Sequence, residues 1–234
     1  MLIGYLSSIS GAFMPTPLPV DPTLDEVRVF LAPLLAEQAA FDGWNEKAVA
    51  AAAEQASIDA DMARLAFNEG AVDMIDAWFQ AIDEGMAAKY SQEQLGAMKI
   101  RERITALVEA RLEQMETQRE GLRRALAILA APPNLPIAAK LGWRAADKMW
   151  RLAGDTATDY NHYTKRTLLS AVYGSTITVF LDDESEGLAD TKAFLGRRIE
   201  NVMQFEKAKA KLTRPGGERF SMARFIGRLR YRGV

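Results

Sequence analysis

Residues 154–181 read GDTATDYNHYTKRTLLSAVYGSTITVFL, a polar turn that runs into a long apolar helix. Gly154 closes the preceding helix, because a residue without a Cβ accepts the left-handed turn that ends helices. Thr156 or Thr158 caps the next one, since a hydroxyl at that place accepts from the first free amides. From Asp159 onward the apolar residues recur every three or four positions. Tyr160, Leu168, Val172 and Val179 form one stripe, and Leu169, Tyr173, Ile177 and Phe180 its neighbour. So wide an apolar arc predicts a helix buried on more than one side. Its first two turns differ, because Asp159, His162, Tyr163 and Arg166 share a face at spacings of three and four. That face reads in two ways. It is a capped, solvated helix start in which Arg166 pairs internally with Asp159 or Glu200, or it is, with Asp155, an exposed patch for a partner.

Outward from this stretch the chain reads as helical throughout. Downstream, DDESEG at 182–187 is a loop, and 188–212 is a helix carrying Phe194, Leu195, Ile199, Val202, Met203 and Phe205. RPGG at 214–217 is a stop and hinge before a last helix over 220–230. Upstream, 134–153 and 119–130 are helices divided by Pro132 and Pro133, and 91–117 is one long helix. Ile100, Ile104, Leu107, Val108, Leu112 and Met115 give that long helix its 3.6-residue period. Nearer the start, Thr23 caps a first helix, Asn45 a second that ends about Gln55, and Ser57 a third over 57–67. A fourth begins after NEG at 68–70, and prolines keep 15–22 extended. Neither a long strand-like alternation nor an internal repeat is present. The fold class is therefore all-α, a helical bundle of nine or ten helices with a C-terminal amphipathic helix. Three short helices followed by a longer one resemble the N-terminal half of TetR-type regulators, whose second and third helices make a helix-turn-helix.

Composition excludes several chemistries. With no cysteine and a single histidine, His162, the chain has no disulfide, no thiolate nucleophile and no His-rich metal centre. Asp159 and His162 stand at i, i+3, but a carboxylate-bridged site needs a second histidine pair. Phosphate-binding glycine motifs are absent. We expect no catalytic residue, no metal and no cofactor. DNA binding fails on charge: residues 41–86 hold two basic residues against ten acidic ones, a net −8, where phosphates demand cations. Eighteen consecutive apolar residues occur nowhere, so no membrane span is expected. Residues 1–20 are uncharged and match neither a secretory signal nor a transit peptide, which predicts a disordered leader with Met14 as an alternative start.

The opposite charge collects at the end. Residues 206–232 hold nine basic residues against two acidic ones, a net +7. Met222, Phe225, Ile226 and Leu229 fall at i, i+3, i+4, i+7, with Arg224 and Arg228 on the other face. That is the pattern of an interfacial helix, so these six are the expected membrane-binding residues. A helix docked on the acidic half of the protein, or on RNA, shares the pattern.

The run GD-x-x-TD-x-N-x-YT-x-R from Gly154 to Arg166, followed by AVY at 171–173, resembles the C-terminal signature of the Coq nine family. The likeness extends over about 24–213 and includes FDGW at 41–44, KIRERI at 99–104, RRALAILAAP at 123–132 and DKMWRLAGD at 147–155. The family often has Trp where this chain has His162, so an anchor at that place is smaller here and titratable. The resemblance implies a TetR-like fold that no longer regulates transcription. It also implies a non-enzymatic, lipid-binding accessory protein of ubiquinone biosynthesis that presents a polyprenylated quinone precursor to a pathway hydroxylase of di-iron or flavin type. A ligand-sensing TetR-type regulator is the alternative. An isoprenoid or phospholipid ligand is expected among Met115, Trp143, Met149, Trp150 and Tyr173, which otherwise read as packed core. The hydroxylase is expected at Asp155, Asp159, His162, Tyr163 and Arg166. The domain reading is a leader (1–22), a degenerate helix-turn-helix part (23–90), a lipid-binding and dimerisation part (91–213) and a hinge with basic helix (214–234). A homodimer paired through 158–181 and 188–212 is expected, with Ala171, Gly174, Ser175 and Thr178 allowing close approach. So is a bacterial cytoplasmic location, peripheral on the inner membrane.

Overall fold

The computed structural model describes residues 18–158 and 160–213, with side chains through residue 204 except that of residue 160. Among these residues are ten α-helices and no strand. They are α1 (Leu24–Asp42), α2 (Glu46–Ala56), α3 (Ala60–Ala66), α4 (Ala71–Lys89) and α5 (Gln92–Ala97). After them come α6 (Ile100–Met115), α7 (Arg119–Leu129), α8 (Leu135–Leu152), α9 (Tyr160–Leu181) and α10 (Ala189–Thr213). The chain divides into two compact units, Met1–Gly196 and Arg197–Val234. The leader and the expected membrane-binding residues Met222, Arg224, Phe225, Ile226, Arg228 and Leu229 lie outside the described residues, as does Asp159.

Helix starts follow the side chains that satisfy their free amides. Thr23 and Glu26 cap α1 reciprocally, and Asn45 Oδ1 accepts from the amide of Lys47 at 2.9 Å. Two boundaries differ from expectation. Ser57 closes α2 instead of opening α3. Its φ is 57°, in the left-handed region, and the Ile58 amide donates back to Ala53 O at 2.9 Å. Asp59 caps α3, its Oδ1 accepting from the amides of Asp61 and Met62 at 3.1 and 2.9 Å. The single long helix expected over 91–117 is two helices with a break at Met98 and Lys99. The Lys99 amide donates to Glu102 at 2.9 Å, which starts α6 afresh. Arg103 then spans the break, donating to Met98 O, Gly96 O and Ala153 O at 2.9, 3.1 and 2.8 Å.

The core is built around α1. Val27, Leu31, Ala32, Leu35, Ala36 and Ala39 are wholly buried in it, against α2, α3, α4 and α7. α7 reaches α1 backbone to backbone: a Cβ on Gly121 would stand 2.5 Å from Ala36 O. The Gly121 carbonyl accepts from Trp44 Nε1 at 3.0 Å, and the Trp44 ring packs on Trp78 at 5.4 Å. Trp78 Nε1 in turn donates to Gln118 Oε1 at 3.0 Å, and Gln118 Nε2 to Pro33 O at 2.9 Å.

A charged cluster lies deeper. Arg111 of α6 is 1% exposed and bonds Asp83 of α4, itself 2% exposed. Arg111 Nε also donates to the Tyr173 hydroxyl of α9 at 3.1 Å, and the guanidinium sits 5.1 Å from that ring's centre. Arg144 of α8 places Nε 3.3 Å from the other Asp83 oxygen, without hydrogen-bond geometry, and bonds Asp76. Three helices thus meet at one carboxylate, and α9 is joined to it through Arg111.

In α9, Leu169, Val172, Tyr173, Ile177 and Phe180 are buried as the periodicity requires. The opposite face is open, with Tyr163, Thr167, Ala171, Gly174 and Thr178 exposed, so α9 is not buried all round.

Removing Asp83 would leave Arg111 buried without a carboxylate. Asp83→Ala should cost about 3–5 kcal/mol in urea unfolding. Gly121→Ala should cost about 1–3 kcal/mol by pushing α7 off α1.

Candidate functional site: the α8–α9 corner

α8 ends in a tight reversal. Gly154 has φ +89°, and the Asp155 amide donates back to Trp150 O at 2.9 Å, which closes the helix as its glycine predicts. The reversal aims the Asp155 carboxylate inward, its side chain 5% exposed. Lys165 Nζ donates to one of its oxygens at 2.7 Å and Arg166 Nη1 to the other at 3.1 Å. Arg166 Nε donates to Asp147 Oδ1 of α8 at 2.6 Å, and Nη1 also to His162 O at 3.2 Å. Arg151 holds the second Asp147 oxygen at 2.8 Å. Burial pushes the Asp155 carboxyl up, but hydrogen bonds from Lys165 and Arg166 and their charges outweigh it. The net shift is below the ordinary value.

The expectation of an exposed five-residue patch is therefore corrected in part. Arg166 is 2% exposed and belongs to the hinge of the α8–α9 pair. Asp155 is its buried counter-charge. The buried guanidinium is the more stable arrangement here, because it bridges two carboxylates, Asp147 on the neighbouring helix through Nε and Asp155 through Nη1. Spacing along α9 cannot show a carboxylate on α8. Its local signal was Asp147 opening the DKMWRLAGD lead-in.

What the network holds out to solvent is aromatic. Tyr163 is 61% exposed. His162 stands edge-on to it at 5.1 Å between ring centres, its Nδ1 hydrogen-bonded to Ala157 O at 3.0 Å. Trp143 of α8 packs on both rings, 6.0 Å from Tyr163 and 6.3 Å from His162. Half-buried Trp143 thus joins the aromatic cluster at the corner, whereas the sequence reading assigned it to ligand. Trp150 lies under the same corner, donating to Lys165 O at 3.1 Å with Lys165 Nζ 5.3 Å from its ring.

The other expected lipid-binding residues are dispersed. Met115 and Met149 are fully buried, and Tyr173 belongs to the Arg111 cluster. A pocket of about 10 Å³ between α6 and α10, lined by Glu109, Leu112, Glu113, Leu188, Thr191, Lys192 and Leu195, has room for about one water. Groups of three or more residues able to hold a metal are absent among the described residues.

On α3, where a DNA reader would place its recognition helix, the exposed groups are carboxylates. Asp59 and Asp61 are exposed at its start, and Arg64 Nη1 is paired with Asp61 at 2.9 Å. Phosphates would meet negative charge there.

The COQ9 family model matches residues 135–206, which span the whole α8–α9 corner. The human mitochondrial ubiquinone biosynthesis protein COQ9 is 32% identical over 168 residues, covering 69% of this chain and 52% of that protein. Its rat counterpart is 31% identical over 167 residues. The chain spans about half the length of the curated relatives it matches. Among solved structures, the crystal structure of a TetR transcriptional regulator from Nitrosomonas europaea superposes with a TM-score of 0.59 at 23% identity. It covers 77% of this chain and 98% of that one, which shows the fold to be TetR-like.

Two outcomes test the corner. Arg166→Ala leaves Asp155 with Lys165 alone and Asp147 with Arg151 alone and should cost about 1.5–3 kcal/mol, whereas Tyr163→Ala should leave the melting temperature within a few degrees. The stability due to Asp155 is fully present above the ordinary carboxylate value of about 3.9. It is lost as pH falls through the depressed native value. Melting curves of Asp155→Asn should accordingly lose less between pH 5 and pH 2 than those of the parent chain.

Proposed function

We propose that this chain, a relative of the COQ9 proteins through its 135–206 domain and TetR-like fold, serves ubiquinone biosynthesis as a non-catalytic accessory protein. It binds a polyprenylated quinone precursor and presents it to a pathway hydroxylase of di-iron or flavin type. The observation that carries this reading is the aromatic cluster of Tyr163, His162 and Trp143, with Tyr163 exposed, within the matched domain on an ion-paired base. Interface anchors are enriched in Tyr and Trp, and an anchor binds better when its support is already ordered. Asp155 and Arg166 serve this surface as its support. Asp159, which lies outside the described residues, stays a proposed docking residue on sequence alone.

The lipid would be held among the apolar side chains of α6, α8 and α9, of which Met115, Met149, Trp143, Trp150 and Tyr173 are our candidates. The same reading has the basic segment 214–234 seat the protein peripherally on the membrane, at the inner membrane if the source is bacterial. It also has two copies pair through the open face of α9, where Ala171, Gly174 and Thr178 permit close approach. Regulation of transcription is disfavoured by the carboxylates on α3, and a gel shift at low salt should show no retarded genomic fragment.

Mass spectrometry of the purified protein should find co-purifying isoprenoid lipid, and light scattering a dimer at micromolar concentration. In pull-downs with the pathway's hydroxylase, Tyr163→Ala should lose the partner while keeping the parent's melting temperature. A Tyr163→Ala protein that still binds at full strength would remove the corner from the interface. Deleting 215–234 should abolish flotation with anionic liposomes while leaving the helical circular dichroism signal intact.

A further inference from the structure

The elbow between α7 and α8 is apolar where a solvated turn should be polar. Residues 125–139, ALAILAAPPNLPIAA, carry no charge. Leu129 turns into the core, but Leu135 is 53% exposed and Ile137 37%, and Pro132, Pro133, Pro136, Ala130 and Ala139 are exposed beside them. The elbow is rigid. Pro132 and Pro133 fix a 3₁₀ turn, the Asn134 amide donates to Ala131 O at 2.8 Å, and Asn134 Nδ2 donates to Ile128 O at 2.8 Å. By length and composition the stretches on its two sides, Ile100–Leu129 and Pro132–Leu152, together match a broken span bent by 93°. Their buried residues, Leu112, Met115, Leu141 and Met149 among them, face the core of the fold, so the match does not describe a crossing.

The charges around the elbow are of one sign. Between Glu120 and Asp147 the sequence has Arg123, Arg124, Lys140 and Arg144 and no carboxylate. Arg123 and Arg124 are engaged with Glu120 and Asp182, and Arg144 with Asp76. Lys140 is exposed and makes no ion pair among the described residues. It stands one turn after Ile137, where its stem can lie along the apolar tip and its ammonium reach a headgroup.

We propose that this elbow is a membrane-contact surface, in which Leu135 and Ile137 enter the headgroup and acyl boundary of an anionic bilayer and Lys140 meets its phosphates. A protruding apolar pair on a proline-stiffened turn loses little conformational freedom on insertion. The neighbouring cation adds attraction to anionic lipid that falls off within a Debye length. The elbow is separate in sequence from the basic segment 206–232, so the contact proposed here does not depend on that segment.

The absence of cysteine from the chain makes the contact directly readable. The full-length Leu135→Cys variant carries an environment-sensitive dye, and Asp61→Cys on exposed α3 carries the same dye as a control. Both are mixed with vesicles of phosphatidylcholine and phosphatidylglycerol, with and without brominated acyl chains. The dye at position 135 should shift to the blue and be quenched by bromine, while the dye at 61 stays in water. Leu135→Ser with Ile137→Ser should weaken partitioning by about tenfold. Lys140→Gln should reduce it severalfold in anionic vesicles and not in pure phosphatidylcholine. A vesicle-bound protein whose dye at 135 stays unshifted and unquenched overturns the proposal, because binding then uses the basic C-terminal segment alone. A shift that grows with protein concentration in the absence of lipid overturns it in favour of a second copy of this chain.

Discussion

One buried carboxylate sets the geometry of the bundle. Asp83 sits on α4 and is contacted by Arg111 of α6 and Arg144 of α8, while Arg111 ties in Tyr173 of α9. Apolar packing alone would let these helices slide by a turn at small cost, since one alanine or leucine ridge resembles the next. A fully buried ion pair does not slide, because separating it strands a charge in a medium that solvates it poorly. Asp83 thus joins the helix that follows α3 to the α8–α9 hairpin, which carries the candidate surface. Asp183 works likewise at the far end of α9. Burial pushes its carboxyl up, but bonds from Ser185 and Thr191 overcome that and hold its pKa well below the usual carboxylate range, fixing the entry to α10.

The same logic repeats at the α8–α9 corner with one difference. There the ion pairs lie just under the surface, and the residues they support are exposed. Arg166 satisfies Asp147 and Asp155 beneath it, so α9 begins at a fixed angle to α8, and that angle brings Trp143 against Tyr163 and His162. A surface built this way presents large rings with little side-chain freedom left to lose on binding. Substitutions at the ion pairs would be felt by a partner only through the rings.

Most of the fold was legible because helix ends are local. Thr23 with Glu26, Asn45, and Gly154 announced their boundaries by the atoms that satisfy free amides and carbonyls. The misses have two causes. Ser57 and Asp59 both carry capping side chains two residues apart, and only the left-handed φ at Ser57 decides between them. The break at Lys99 depends on Arg103 reaching the carbonyl of Ala153, a contact across 50 residues that no periodicity contains. At the candidate site His162, Tyr163 and Arg166 were expected together on one exposed face, and Arg166 is buried instead. Their exposures diverge, because a carboxylate on another helix captured the arginine.

That divergence separates two properties that a sequence motif runs together. In the stretch Gly154 to Arg166, the glycine, the first aspartate and the arginine build the reversal, and the tyrosine and histidine face outward from it. A run of this kind persists in a chain for as long as the reversal is needed, whatever meets its outer face. The matching residues alone therefore speak for the hairpin. The exposed Tyr163 ring adds little to the folding of the hairpin, which is why it carries the proposed contact. In this chain the indole at the corner is supplied by Trp143 from α8, beside the imidazole of His162 on α9. An aromatic cluster shared between two helices keeps its breadth when either helix changes one ring. The supporting ion pairs have no such latitude, because Arg166 alone joins Asp147 of α8 to Asp155 of the reversal.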